Sequence, residues 1–215
     1  MSKHILIVGA SRGIGLGLVK EFQNRGWEVT GTERSPSDAL HALENVKIDT
    51  IDVTDPSTFA VDGEFDAVIV NAGITGASHQ SSEQATADEV AQVMMTNAFG
   101  PAHLGEKLLP QIKQGGSLSF MSSLMGSIED SSGGYELYRT SKTAQNMLAK
   151  GIAEQDAKAR DITVLSLHPG WVQTDMGGPN AKITVEESAK GLADVVENAR
   201  GGYAYVDYTG KALPF

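Results

Sequence analysis

Short apolar runs alternate with longer amphipathic stretches along this chain. Runs at residues 4–8 (HILIV), 28–32, 46–49, 65–70 (FDAVIV), 117–121, 162–167 and 203–206 predict strands. Between them, apolar positions recurring every three or four residues predict helices near 15–25, 37–44, 86–113, 135–158 and 184–199. The Gly100-Pro101 pair inside the longest of these allows either one kinked helix or two. Strand and helix in strict alternation imply a parallel sheet covered on both faces, with ligands at the C-terminal ends of the strands. The expected architecture is α/β, a Rossmann-type doubly wound parallel sheet of about seven strands. No linker or repeat interrupts the series, so residues 1–215 are expected to form one domain.

The first strand leads directly into GASRGIG, which places Gly9, Gly13 and Gly15 ahead of a helix. A strand, a glycine turn and a helix N-terminus make an anion site, because free backbone N–H groups and the positive end of the helix dipole face a phosphate. The same turn also fits G-x-S-x-G, the elbow of serine hydrolases, through Ser11. That elbow needs an oxyanion-hole loop upstream, and only ten residues precede Ser11. A second constellation is Tyr138 and Lys142, in YRTSK. Residues four apart share a helix face about 5–6 Å apart at Cβ, so phenol and ammonium can converge on one reacting group. A phenol with a pKa of about 10 is a poor acid–base catalyst at neutral pH, and a nearby cation is expected to lower it.

Taken together and in order, these motifs resemble the short-chain dehydrogenase/reductase family. They are Gly9, Gly13 and Gly15; Asn71, Ala72 and Gly73 after the fourth strand; Ser122 and Ser123 after the fifth; and Tyr138 with Lys142 on the next helix. The strings HPGWVQTDMGGPNA, YRTSK and the terminal LP-aromatic further resemble the subgroup of C-factor signalling proteins and sniffer carbonyl reductases. The resemblance implies hydride transfer between a nicotinamide and a carbonyl carbon, the partner being a small-molecule carbonyl or alcohol. Tyr138 is then the acid/base, Lys142 lowers its pKa and holds the ribose, Ser123 binds the carbonyl oxygen, and Asn97 holds a relay water near the lysine. The C-factor likeness admits an alternative, a signalling or regulatory protein that binds dinucleotide with little turnover.

The same resemblance assigns the cofactor residues. Ser11, Arg12 and Ile14 belong to the glycine turn, Asp52 with Val53 faces the adenine, and Pro169, Gly170, Val172 and Thr174 flank the nicotinamide. Arg12 and Arg34 fall where the family places cations on the 2′-phosphate of NADP, whereas Glu33 falls where NAD enzymes carry a carboxylate for ribose hydroxyls. NADP(H) is favoured, with NAD(H) open, on condition that Glu33 turns away from the phosphate. Met125, Tyr135, Trp171 and Met176 are candidates for an apolar substrate pocket. The long helices are expected to pair across a two-fold axis, giving a homodimer or homotetramer.

Composition narrows the remaining choices. The chain has no cysteine, which excludes disulfides, thiolate catalysis and Cys-ligated metals. Its five histidines lack metal-like spacing, and Asp49, Asp52 and Asp55 do not match a calcium loop, so no metal is expected. A net charge of −10 argues against nucleic acid or anionic membrane as partners. No apolar run approaches transmembrane length, and a cytoplasmic protein is expected.

Overall fold

The computed structural model describes residues 2–215. Among these residues the strands are β1 (His4–Val8), β2 (Glu28–Glu33), β3 (Val46–Thr50), β4 (Phe65–Val70), β5 (Ile112–Met121), β6 (Thr163–His168) and β7 (Tyr203–Asp207). They form one seven-stranded sheet in the order β3-β2-β1-β4-β5-β6-β7, every neighbouring pair parallel. The order reverses between β1 and β4, and a crevice at the C-terminal strand ends follows from that reversal.

Side chains alternate across each strand, so each strand feeds two cores. On one face Leu6, Val8, Val68 and Val70 pack with Leu104 and Leu108 of α4 (Gly100–Leu108) and Ile152 of α5 (Glu136–Ile152). On the other, Ile5, Ile7 and Ile69 meet Leu18 and Phe22 of α1 (Gly13–Asn24) and Leu192 and Val196 of α6 (Val185–Glu197). This is the doubly wound arrangement expected from the alternation of elements.

Three of the predicted helical stretches differ clearly from their expected spans. The stretch expected as 86–113 comprises α3 (Ala87–Met94), a wide π-turn at Met95–Phe99, and α4, after which β5 already begins at Ile112. Proline is the cause: Pro101 has no N–H to meet the Asn97 carbonyl in α register, so the ladder widens there. The stretch expected as 135–158 begins at Glu136, because Tyr135 takes a left-handed φ of 57°, and it remains α-helical only to Ile152. The predicted helix at 37–44 shrinks to α2 (Asp38–His41), capped by the Ser37 hydroxyl.

Candidate active site

The glycine turn joins β1 to α1. Gly9 has a φ of +84°, and a Cβ there would fall 3.0 Å from the Ala72 backbone nitrogen, so the two loops meet backbone to backbone. The Asn71 amide clamps them, donating to the Gly9 carbonyl at 2.8 Å. At Gly15 a Cβ would stand 2.0 Å from that same carbonyl, which is why the first turn of α1 can seat directly on the loop. Thr86 and Thr184 cap α3 and α6 with their hydroxyls, but no side chain caps α1. Its leading amides are left to face the crevice together with the positive end of the helix dipole, an arrangement suited to a pyrophosphate.

A cleft of about 590 Å³ opens from this turn. Gly9, Ser11, Arg12, Gly13 and Ile14 line one end, with Arg34 after β2 and Asp52 and Val53 after β3. Asn71, Ala72 and Gly73, then Tyr138 and Lys142, and finally Pro169 and Thr174 line the rest. Partial burial favours neutral Asp52, but the Thr54 N–H and hydroxyl, together with the charge of Arg34, hold its carboxyl below the usual range. Arg12 reaches across to Asp175 at 2.5 Å, a fully solvated pair.

Four of the sequence-predicted cofactor residues do not line the cleft. Gly15 is spent on the packing just described. Gly170 has φ +83° and turns the chain against Ile183, while Val172 is buried and bridges the same residue. Glu33 is folded back and buried, with its carboxylate on Ser37 N–H and His41.

On α5, the Tyr138 phenol lines the cleft, with the Ser123 hydroxyl near enough to act on it. Burial pushes the phenol up to about 12, with the Ser123 hydrogen bond opposing the shift. Lys142 is 3% exposed, and its ammonium donates to the Met121 carbonyl at the end of β5 (2.7 Å) and to Gln145 Oε1 (3.2 Å). Burial pushes Lys142 down to about 7. The sequence reading had the lysine lowering the tyrosine. Instead the ammonium is held by the strand end, 5.7 Å from the Tyr138 ring centroid, and desolvation governs both groups.

The two serines after β5 have different surroundings. Ser122 donates to Asn146 Oδ1 at 2.6 Å inside the core, whereas the Ser123 hydroxyl faces Tyr138 and accepts the Met125 N–H. The Ser123 carbonyl accepts the Tyr205 hydroxyl of β7 at 2.5 Å. Asn97 lies fully buried behind the cleft wall in the π-turn. Its amide donates to Ile74 O and Ser141 Oγ, and its oxygen accepts Ile74 N–H.

Several participants carry no local sequence signal. Gln80 accepts the Tyr138 N–H and donates to the Thr75 and Ala77 carbonyls, so it sets the first turn of α5 in place of a cap. Met121, Thr96 and Asp175 also line the cleft. Of the expected apolar substrate residues, Met176 lines it; Met125 faces a separate shallow groove, and Trp171 and Tyr135 are exposed. Among the described residues no cluster of His, Asp and Glu fits a metal ion, and no helix is long and apolar enough to cross a membrane.

Residues 3–183 match the family model described as short chain dehydrogenase. The chain belongs to that family. The chain is 35% identical to the C-signal protein of Myxococcus xanthus over 158 residues, which is 71% of this chain and 94% of that protein. A carbonyl reductase from Pseudomonas aeruginosa PAO1 in complex with NADP has 38% identity and a TM-score of 0.92, both chains covered in full. The carbonyl reductase Sniffer of D. melanogaster has 28% identity and a TM-score of 0.90, again covering both chains in full. The likeness to C-factor and sniffer proteins read from the motifs holds, and the family is one of oxidoreductases.

Proposed function

We propose that this chain is an NADP(H)-dependent oxidoreductase that reduces an aldehyde or ketone to an alcohol, or runs the reverse reaction. The observation that carries this reading is that Tyr138 and Lys142 line the same cleft that begins at the glycine turn, with Ser123 acting on the Tyr138 phenol from beside it. The uncapped amides of α1 and the backbone cradle at Gly9 suit the pyrophosphate; Asn71 to Gly73, Pro169 and Thr174 suit the nicotinamide half. A reduced nicotinamide dinucleotide held by these residues would supply the hydride that the carbonyl carbon accepts.

The chain's own part is to place and protonate the carbonyl oxygen. Ser123 and Tyr138 hydrogen-bond that oxygen, stabilising the charge that develops on it, and Tyr138 delivers its phenolic proton. Lys142, which lines the cleft with its ammonium on the Met121 carbonyl, would hold the ribose. The Asn97 side chain is fully engaged, so its main-chain carbonyl, which has no α-register donor at Pro101, is the group available to hold a relay water. Arg12 and Arg34 line the cleft while Glu33 does not, which favours the 2′-phosphate of NADP(H).

A panel of aldehydes, ketones and quinones, followed by oxidation of NADPH and of NADH, tests the reading. Turnover with NADPH is expected. Dinucleotide binding without turnover across the panel would favour a regulatory role, the reading that the C-signal relative supports. Lys142→Ala should lower turnover and weaken cofactor binding by about tenfold or more, since a charged hydrogen bond to ribose is lost. Unchanged affinity in that variant removes the ribose role.

Assembly follows from the same helices. Val90, Met95 and Phe99 along α3 and the π-turn, and Met147 on α5, are large apolar side chains left exposed. Pairing of these helices across a two-fold axis would cover them, as the family resemblance implies. Light scattering should give at least twice the 22.7 kDa of one chain. A monomer at working concentration contradicts the pairing.

A further inference from the structure

Glu33 stands next to Arg34 at the end of β2, yet the two side chains go opposite ways. Arg34 lines the cleft, and Glu33 is 6% exposed. Both Glu33 oxygens are occupied: Oε2 accepts the Ser37 N–H at 2.8 Å, and Oε1 lies 2.8 Å from His41 Nε2. An ionised carboxylate only accepts, so the histidine presents an N–H to it. The clip that makes these contacts is anchored at three points. Leu40 is fully buried and lies against the sheet at Gly31, the Ser37 hydroxyl donates to the Ser11 carbonyl of the glycine turn at 2.7 Å, and the Ser37 hydroxyl also caps α2.

Released from this clip, a carboxylate at residue 33 would swing towards the cleft mouth shared by Arg12 and Arg34. It would repel a phosphate there and offer an acceptor to ribose hydroxyls instead. Of the acids that line this cleft, Asp52 is tied to the Thr54 N–H and hydroxyl and Asp175 is paired with Arg12.

We propose that His41 sets cofactor selectivity, holding Glu33 back so that the Arg12–Arg34 side of the cleft receives the 2′-phosphate of NADP(H). The role rests on the dinucleotide reading given above. His41 is a positioning residue, since it does not line the cleft and acts through Glu33. Its side chain is half exposed, so substitution leaves the core intact.

Isothermal titration of NADP⁺ and NAD⁺ into wild type and four variants tests the role by binding alone. Wild type should prefer NADP⁺. His41→Leu should weaken NADP⁺ by about tenfold while NAD⁺ holds or improves, because a freed like charge acts on the phosphate only. His41→Gln, which can still donate from its amide, should keep most of the preference. Adding Glu33→Gln to His41→Leu should restore NADP⁺ affinity, since the amide carries no charge. Glu33→Gln alone should move it by less than about threefold, the carboxylate being already withdrawn. Equal weakening of both cofactors in His41→Leu, or no rescue in the double variant, would overturn the selectivity role. A wild type that prefers NADP⁺, with an unmoved ratio in His41→Leu, overturns that role alone. A wild type that binds neither dinucleotide overturns the underlying reading and the selectivity role together.

Discussion

Tyr138→Phe is expected to lower carbonyl reduction by at least about a hundredfold while dinucleotide binding persists. Phenylalanine keeps the ring and its packing on α5 but removes the proton proposed to transfer to the carbonyl oxygen, and general acid catalysis is commonly worth 10² to 10⁴ in rate. The Ser123 hydroxyl would remain and donate a hydrogen bond, which is why the loss should stop short of complete inactivity. The pH profile adds a second check. A phenol held up to about 12 stays protonated through neutrality, so the tyrosine itself imposes no fall on reduction as pH rises. Alcohol oxidation needs the phenolate, so its rate should climb with pH across the same range. Steady-state rates in both directions, paired with a binding titration, measure this. Near-normal turnover in Tyr138→Phe eliminates the proposed chemistry.

Arg34→Ala is expected to weaken NADPH by roughly ten- to a hundredfold and leave NADH nearly unchanged, since a hydrogen bond between charged partners is worth about 1.5–3 kcal/mol. Arg34 lines the cleft, and its charge already acts on the neighbouring Asp52. Arg12, by contrast, is engaged with Asp175 at 2.5 Å, in a pair whose side chains are both 79% exposed. Such a pair is weak enough for a phosphate to draw the arginine away. The decisive quantity is the ratio of kcat/KM for the two cofactors in wild type and variant. If wild type prefers NADH and Arg34→Ala changes both cofactors equally, the NADP(H) assignment fails.

What the sequence made legible follows the range of each interaction. The glycine turn, the spacing of Tyr138 and Lys142 on one helix, and the strands other than β5, which starts five residues early, are local patterns that lie within a residue or so of where the pattern puts them. The break in the long helix before β5 is legible in Gly100-Pro101, whose missing N–H opens the ladder, but the periodic signal runs past the real end of the segment, since β5 already begins at Ile112. The direction in which Tyr138 shifts was hidden for a different reason. It is set by burial of the phenol, which only the packed structure decides, while the Lys142 ammonium finds its acceptor in a backbone carbonyl on β5, 21 residues away in sequence. Glu33 looked like a ribose ligand because its neighbours in sequence say nothing about His41 and Ser37 closing on it. Ser122 and Ser123 are adjacent and chemically identical; Asn146, 24 residues from Ser122, takes up the first hydroxyl.

The bond from Tyr205 to the Ser123 carbonyl joins groups 82 residues apart, and Tyr205 sits on the last strand of the sheet. A ribosome adding about 5–20 residues per second needs about 4–16 s to cover that interval. During it, β1 to β4 with the glycine turn are already available to organise, while the loop bearing Ser123 still lacks its anchor. Premature termination upstream of β7 should therefore leave the loop that bears Ser123 without this anchor.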